Sequence, residues 1–591
     1  MEYLFECAIG PVQDFIATAR RSRDLWYGSW MLSELSKAAA RGLADSYGWK
    51  SLVFPAPGKT TDLDPKSSLN VANKVVAIVS DDPAAAGQRV KDAIDACLDE
   101  LKKDAFAKVN GPFDRTLADR QLADLVEYYW VDVPLTVGYE SARNLAESLL
   151  AARKTTRDFA QFDGEPIPKS SLDGARESVI PKDAYPRGAN DPERDAKIRR
   201  LYQRYGARRG ERLSGVDLVK RQGMRGELIE QKFRSTSHMA ALPFLAMIDR
   251  EKGAGGGDRL LAEIRSLLKN QGIDPKGEDD DGSLLFESRL KEWIPDDDKL
   301  KAMRKVLNEK IQEYTSVRQP DPYYALLLAD GDNMGAAIDA KKDEASHRAL
   351  SEALSEFAFR VGRIVEDNEG VLVYSGGDDV LAYLPLHRVL TCARQLAEDF
   401  FDKMKQGDFR TKDGVYPTLS SGIVVAHHLD PLSDALELAR QAEKEAKTVP
   451  KKNGLAITVS KRSGVDRTIA DKSEALHDRL NTMIEFTRKG AISQGTAYEL
   501  QELDRVLGEA HLPTEAVINE ALRIVERKRE SGGAKEIAQD VMNQFETWLG
   551  AKQGNIPLRR LAQELIVAGV FADALDLAEG PLDHPKEAAT S

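Results

Sequence analysis

The sequence predicts an α+β protein with two ferredoxin-like domains, a mainly helical insert between them and a C-terminal helical bundle. The first supporting observation is the pattern from residue 320, which reads strand, helix, strand, strand, helix, strand. This is the β-α-β-β-α-β order of a ferredoxin-like domain. The second is a similar, weaker pattern in the first 135 residues. A chain of 591 residues is also too long for one hydrophobic core, so several domains are expected.

These patterns divide the chain into four predicted domains. Residues 1–139 form the first ferredoxin-like domain, and the charged, helix-rich residues 140–315 form the insert. Residues 316–465 form the second ferredoxin-like domain, which has one extra helix and strand at its end. From residue 466 onward the periodicity predicts helices throughout, so residues 466–591 are predicted to form a helical bundle.

The first domain is predicted to be a degenerate copy of the second. Its elements are a strand at 3–8, a turn at 9–13, a helix start at 14–23, strands at 51–54 and 74–80, a helix at 84–103 and a strand at 128–135. Neither an acidic residue at 10–13 nor a later Gly-Gly-Asp-Asp is present in it. We therefore expect this domain to act as a partner for the second.

The second domain has clearer signals for its strands and helices. Its predicted strands are 323–329, 371–375, 379–384, 417–427 and 454–460, and its predicted helices are 346–367, 388–406 and 431–448. Between the second and third strands lie Gly376 and Gly377, and glycine supplies the positive φ of a tight hairpin turn. Asp378 and Asp379 follow at the tip. Adjacent carboxylates repel each other unless a hard cation such as Mg²⁺ or Mn²⁺ lies between them. A solvated acidic turn is the alternative.

An upstream motif favours the metal interpretation. The strand run at 323–329 ends in Asp330, Gly331 and Asp332. A strand that ends in Asp-x-Asp, beside a hairpin that ends in Asp-Asp, is how palm-type nucleotidyl transferases build a two-metal site. We predict Asp330, Asp378 and Asp379 as metal ligands, with simple turn caps as the alternative.

The residues after Asp330 are candidates for contact with phosphate groups. The turn that opens the next helix presents backbone N–H groups, which suit phosphate oxygens. It contains Gly331, Asp332, Asn333, Met334 and Gly335. Asp332 with Asn333 has a second interpretation as a helix N-cap. Lys444 and Lys447, near the end of a later helix, either neutralise a triphosphate or favour the negative end of that helix.

Composition limits the classes of function. The net charge of −12 disfavours a dedicated nucleic-acid binder, but residues 187–234 hold 14 Lys/Arg against 7 Asp/Glu. This segment is either an RNA or partner surface or a solvated helical face. No apolar run approaches about 18 residues, and the N-terminus lacks a basic signal region, so a cytoplasmic location without membrane contact is expected. Cys7, Cys97 and Cys392 are isolated, as in reducing compartments.

In combination, several motifs resemble the large palm-containing subunit of type III CRISPR effector complexes, of the type III-B (Cmr) kind. They are the segments 9–16, 24–29, 210–221, 235–240, 330–335 and 376–379. The resemblance implies two facing palms, with two metal ions on the later one and two ATP molecules between them. It also implies synthesis of 3′–5′ linked cyclic oligoadenylates when the complex captures target RNA.

The resemblance also implies roles for particular residues. Asp330, Asp378 and Asp379 are expected to bind metal and to be catalytic. The residues expected to contact ATP are Gly331, Asp332, Asn333, Met334, Gly335, Ser375, Gly376, Gly377 and Lys447, with Ser29 on the opposing palm. Two departures from the family pattern are present. The chain starts at the first palm without a His-Asp nuclease domain, and residues 169–174 carry no cysteine where a zinc finger is expected. We therefore expect no zinc and no DNA cleavage by that domain.

The sequence thus predicts a nucleotidyltransferase that uses ATP and two Mg²⁺ or Mn²⁺ ions. We expect it to act with other subunits, a guide crRNA and a target RNA. Transfer of AMP to another acceptor, such as S-adenosylmethionine, remains an alternative. So does a catalytically idle scaffold, which the intact Asp330 and Asp378-Asp379 disfavour. A stand-alone diguanylate cyclase is disfavoured by the duplicated palm.

Overall fold

The computed structural model describes residues 1–80, 82–156, 166–188, 190–223, 234–273, 281–294, 297–317, 319–462, 464–507, 514–527, 535–550 and 556–582. Across these residues, no helix has the length and apolar character needed to cross a membrane.

The first domain is a four-stranded antiparallel sheet with helices packed against it. Its elements are β1 (Tyr3–Gly10), α1 (Gln13–Ala17), α2 (Ser22–Tyr47), β2 (Leu52–Phe54), β3 (Lys74–Val79), α3 (Pro83–Ala107), α4 (Arg115–Ala123) and β4 (Glu127–Pro134). The strand order is β2-β3-β1-β4, which is the ferredoxin-like arrangement. The predicted helix start at 14–23 is confirmed in part, because α1 begins at Gln13 but ends at Ala17, and α2 begins only at Ser22. The buried ammonium of Lys220 binds the carbonyl oxygens of Phe15 and Thr18, so the chain turns there.

The insert is helical, as predicted. It contains α5 (Tyr139–Thr155), α6 (Arg194–Tyr205), α7 (Gly215–Gly223), α8 (Thr236–Lys252), α9 (Gly256–Asn270), α10 (Glu287–Trp293) and α11 (Asp297–Tyr314). Helix α5 packs on the first sheet, where Ala142 and Ala146 join a core with Leu4, Val76 and Val133. It therefore packs as part of the first palm rather than of the insert.

The second domain is a six-stranded sheet covered by helices. Its elements are β5 (Tyr323–Asp332), α12 (Met334–Asp339), α13 (Glu344–Asp367), β6 (Val371–Gly376), β7 (Asp379–Leu384), α14 (Leu386–Gln406), β8 (Thr418–His427), α15 (Leu432–Thr448), β9 (Gly454–Val459) and β10 (Arg467–Lys472). The strand order is β10-β9-β8-β5-β7-β6. Four of its strands, in the order β6-β7-β5-β8, repeat the order of the first sheet, and β9, parallel to β8, is the predicted extra strand.

Strand β10 corrects the prediction of helices throughout from residue 466. It pairs antiparallel with β9, and the hydroxyls of Thr458 and Thr468 are hydrogen-bonded across the pair at 2.9 Å. Only Ile469 of this strand is fully buried, so its sequence carries a weak strand signal. The edge of β9 provides the backbone partners that make these residues extended.

The C-terminal part is a helical bundle built around its last helix. It contains α16 (Ser473–Arg488), α17 (Gln494–Leu507), α18 (Thr514–Arg527), α19 (Lys535–Leu549) and α20 (Leu558–Glu579). Most apolar residues of α20 are buried, and buried Glu564 accepts hydrogen bonds from Arg479 and Arg560. The predicted α+β fold with two palms, an insert and a bundle is confirmed.

The two palms contact each other directly. Helix α2 of the first palm packs against β6 of the second, which carries the first half of the acidic hairpin. Helix α5 contacts α12 and α13, so the first palm touches the second at the helices that follow β5 as well as at β6.

Candidate functional site

The predicted hairpin is present, and its turn is as short as a hairpin allows. Gly376 pairs with Asp379, so Gly377 and Asp378 form a two-residue turn. Gly377 has φ of +78°, which at the first turn position is the pattern of a type II′ turn. A Cβ on Gly376 would lie 1.8 Å from the hydroxyl oxygen of Tyr374, so a larger residue there would require the Tyr374 ring to move.

The sheet brings this hairpin to the end of β5. Strands β5 and β7 are paired through Ala329 and Val380, and the next residues are Asp330 and Asp379. A Cβ built on Gly331 would lie 2.6 Å from Oδ2 of Asp378, so glycine permits close approach of the carboxylate. The three predicted metal ligands thus lie at one edge of the second sheet.

Burial raises the pKa values of both hairpin carboxylates. It raises the pKa of Asp378 to about 6. Burial, followed by the charges of Asp378 and Glu443, raises the pKa of Asp379 to about 7. Ionising two neighbouring, desolvated acids is unfavourable because their negative charges repel each other, and a bound cation would offset that repulsion. Such an oxygen-only, anionic donor set fits a hard divalent cation.

Lys447 supplies the positive charge next to Asp330. Its ammonium forms an ion pair with Oδ2 of Asp330 and a second one, at 2.7 Å, with Oε1 of Glu443. Burial and the charge of Lys452 lower the pKa of Lys447. Lys444, three residues earlier, is exposed. The structure therefore separates the two candidate lysines: Lys447 contacts the acidic site, whereas Lys444 points to solvent.

Glu443 is a site residue that the sequence analysis missed. Burial and the charge of Asp332 raise its pKa, and it also contributes to the raised pKa of Asp379. The available signal was its spacing, because an acid four residues before a lysine on a helix faces that lysine. Without the location of α15 beside β5, this spacing resembles any exposed i,i+4 pair.

Asp332 has a different place from the other acids. Its side chain is fully buried, and Oδ2 accepts hydrogen bonds from Thr418, Ser420 and the backbone N–H of Asn453. Its Oδ1 has no hydrogen-bond partner among the described residues. The N-cap of α12 is Asn333, with φ of +61° and no side-chain capping bond. Asp332 therefore ties β5 to β8 and to the turn before β9 rather than capping α12.

The remaining candidate residues for ATP contact differ in how exposed they are. Met334 is buried against Gly331, whereas Gly335 is exposed and opens to free space. Ser375 is fully buried and donates a 3.4 Å hydrogen bond to the carbonyl of Ala358, so its hydroxyl points away from the hairpin tip. Ser29 is buried in α2, the helix that packs on β6.

In the described part of the chain, no three His, Cys, Asp or Glu side chains are placed to hold one ion. The acidic hairpin and the end of β5 nevertheless suit a divalent cation, because Asp378 and Asp379 are desolvated and Oδ1 of Asp332 is unpartnered. A metal would compete with Lys447 for Asp330.

Among the described basic residues at 187–234, only Lys220 and Arg221 are buried, whereas six arginines are exposed: Arg187, Arg199, Arg200, Arg204, Arg208 and Arg209. Arg221 is buried and pairs with Asp24 at 2.6 Å and with Glu211 at 2.8 Å. Residues 224–233 of this segment lie outside the described residues. In the stretch at 169–174, Ser170 donates a 2.7 Å hydrogen bond to Oδ2 of Asp217.

Two family models match the chain. The model described as "Cas10/Cmr2, second palm domain" matches residues 323–456, and "CRISPR-associated protein Cmr2, N-terminal" matches residues 4–105. The resemblance to a type III-B palm subunit, predicted from the motifs, is therefore confirmed.

Relatives and solved structures agree with these matches. The Cmr2 subunit of the Cmr CRISPR system from Pyrococcus furiosus is 27% identical over a 553-residue alignment that covers 78% of this chain. The chain spans 62% of that relative's length. Among solved structures, a type III-B Cmr-beta chain in the apo state has a TM-score of 0.64 at 14% identity, covering 97% of this chain and 82% of that one. A type III-B Cmr-beta chain from a structure bound to cognate target RNA has a TM-score of 0.62 at 14% identity, covering 97% of this chain and 83% of that one. These two likenesses concern the fold.

Proposed function

We propose that this chain, which matches models of both the N-terminal domain and the second palm domain of the Cas10/Cmr2 family, joins ATP molecules by nucleotidyl transfer. The 3′-hydroxyl of one ATP would attack the α-phosphorus of the next, and pyrophosphate would leave. The reaction would take place at the second palm, where Asp378 and Asp379 lie next to the end of β5. The observation that carries this proposal is the pair of desolvated hairpin carboxylates, whose pKa values are raised to about 6 and about 7.

Asp330, Asp378 and Asp379 would hold Mg²⁺ or Mn²⁺, which in such sites activates the attacking hydroxyl and neutralises charge on the phosphates. The neighbouring residues have separate tasks. Lys447 would move from Asp330 to the triphosphate, where its ammonium donates to phosphate oxygens, while Glu443 keeps it within reach. The turn at 331–335 would face the triphosphate, and exposed Gly335 leaves room for it.

Asp332 would hold this site in shape. By accepting hydrogen bonds from β8 and from Asn453, it fixes the end of β5 relative to the turn that follows α15. Gly376 and Gly377 would contribute through the backbone that places Asp378. Ser29 would face the nucleotide from the first palm.

We further propose that the products are 3′–5′ linked cyclic oligoadenylates and that target RNA starts their synthesis. The chain would work in a type III-B ribonucleoprotein with other subunits and a guide crRNA. Support comes from the Pyrococcus furiosus relative, named as a Cmr subunit, and from the likeness of fold to a Cmr-beta chain solved with cognate target RNA.

The test is to incubate the assembled complex with labelled ATP and Mg²⁺ or Mn²⁺, with and without target RNA, and to identify products by mass spectrometry. The proposal expects cyclic products of AMP units only when target RNA is present. If S-adenosylmethionine is added and an AMP adduct of that compound forms, the acceptor is S-adenosylmethionine rather than a second ATP, and the cyclic-oligoadenylate proposal is wrong. Absence of any nucleotide product would assign the chain a scaffold role.

A further inference from the structure

We propose that Arg143, on helix α5 of the first palm, is a positioning residue for the phosphate-facing turn of the second palm. The inference deepens the proposed function and rests on it for the role of that turn. It assigns the first palm a specific task, which is to hold α12 in place from outside the second palm.

Arg143 joins two domains through several hydrogen bonds, and its buried Nε alone has no partner among the described residues. Its Nη1 donates to the carbonyl oxygens of Ile338 at 2.6 Å and Lys341 at 2.8 Å. Its Nη2 lies 3.4 Å from Oδ1 of Asp339 and donates to Oδ1 of Asn144 at 3.0 Å. The side chain is 1% exposed. Burying a guanidinium is costly, and the hydrogen bonds donated by both terminal nitrogens offset that cost.

Arg143 makes these bonds at the C-terminal end of α12 and just beyond it. The last carbonyl groups of a helix have no partners within it, and they carry its partial negative charge. Helix α12 has only six residues, so it is too short to be stable on its own. At 1.5 Å per residue, the end of α12 that Arg143 binds lies about 9 Å along the helix axis from Asn333, which follows β5. A shift at this end therefore moves the turn.

Two other contacts between the palms involve α13 rather than α12, so a variant can remove the bonds of Arg143 without removing those contacts. Tyr139, also on α5, is hydrogen-bonded to Nδ1 of His347 on α13 at 2.7 Å. The backbone N–H of Ala56 donates to Ser351, also on α13, at 2.9 Å. Only Arg143 among these contacts binds α12.

The test uses the full-length chain and Arg143→Met, which keeps the apolar stem but removes the donors. Arg143→Lys restores a cation that reaches fewer of the acceptors. Tyr139→Phe breaks the neighbouring palm contact without touching α12, and Arg153→Met changes an exposed arginine of the same helix. Two measurements are made: hydrogen exchange of the amides at 334–341, and equilibrium binding of ATP by calorimetry.

For Arg143→Met, we expect faster exchange at 334–341 and ATP binding weakened about tenfold, as for the loss of a charge-assisted hydrogen bond. Arg143→Lys should be intermediate, and the two controls should match the wild type in both measurements. Unchanged exchange at 334–341 in folded Arg143→Met would overturn the inference. So would unchanged ATP binding with faster exchange. If Arg143→Met does not fold, the Lys variant decides by the same criteria. Failure of the wild type to bind ATP would instead overturn the proposed function, while the exchange data still report on α12.

Discussion

The two palms share one topology but differ at the ends of their central strands. In both, the first strand lies between two antiparallel neighbours, β3 and β4 in one and β7 and β8 in the other. Strand β1 runs into Gly10 and Pro11, whereas β5 runs into Asp330, Gly331 and Asp332. The fold supplies the strand ends, and the residues placed there decide whether chemistry is possible.

The two palms also differ in the connection between their second and third strands. Residues 55–73 form a long loop between β2 and β3, whereas Gly377 and Asp378 alone join β6 and β7. Only the short turn brings two carboxylates to the central strand. Acids of the first palm serve its stability instead: buried Glu6 pairs with Lys74 at 2.7 Å, and buried Asp24 pairs with Arg221.

The largest expected effect is loss of synthesis in Asp378→Ala with Asp379→Ala, which removes both hairpin ligands. Activity should fall by more than about 10³-fold, because metal-assisted transfer loses its ligands. The free energy of unfolding in metal-free buffer should stay equal or rise, since two repelling, desolvated acids are gone. Product formation and denaturant unfolding check the two halves. The exposed pair in Glu366→Ala with Asp367→Ala is the control and should retain activity.

Arg221→Met tests the structural use of acids in the first palm. It removes the cation that hydrogen-bonds buried Asp24 and leaves Glu211 only the longer pair with Arg21 at 3.6 Å, which costs about 3–5 kcal/mol of unfolding free energy. Denaturant unfolding should detect this loss, and Arg209→Met, at an exposed arginine, should not produce it. A stable Arg221→Met with reduced synthesis would mean that the first palm takes part in the chemistry.

Lys447→Met should act on nucleotide binding. Loss of a charged contact to the triphosphate should lower kcat/KM about 10- to 100-fold, mainly through KM. Steady-state kinetics over a range of ATP concentrations measures this, and Lys444→Met on the exposed face of α15 is the matched control. Equal KM values for the two variants would remove Lys447 from the site.

His347 makes the contact between the palms sensitive to acid. Burial, with smaller contributions from Arg143, Lys74 and Lys341, lowers its pKa to about 4. The unfolded chain therefore binds a proton more readily between pH 6.5 and 4, so stability falls as the pH drops through that range. The loss is at most about 3 kcal/mol. Unfolding of the wild type and of His347→Gln at pH 7.5 and 4.5 measures it. An identical pH dependence for both would assign the acid sensitivity to other groups.

The sequence predicted the second palm well because its signals are local. The hairpin follows from Gly377 and its apolar flanks, and the predicted strand at 379–384 has the observed bounds. The location of these acids was predictable for the same reason, since Asp330 directly follows the predicted strand at 323–329 and Asp379 begins the predicted strand at 379–384. The structure extends β5 beyond the prediction, to Asp332.

The parts that were missed depend on contacts between distant elements. Glu443 joins the site only because α15 crosses the end of β5, and Arg143 reaches α12 from another domain. The direction of Ser375 depends on its packing against α13. Strand β10 forms because β9 offers an open edge. None of these features leaves a periodic signal in its own segment.

The most direct test of the central claim is the binding of Mn²⁺ to the full-length chain in the presence of ATP, followed by electron paramagnetic resonance. The account predicts protein-bound Mn²⁺ in the wild type and in Glu366→Ala with Asp367→Ala. It predicts that this signal is lost in Asp378→Ala with Asp379→Ala. Mn²⁺ that stays bound with ATP after both hairpin carboxylates are removed would contradict the assignment of the second palm as the metal-holding palm.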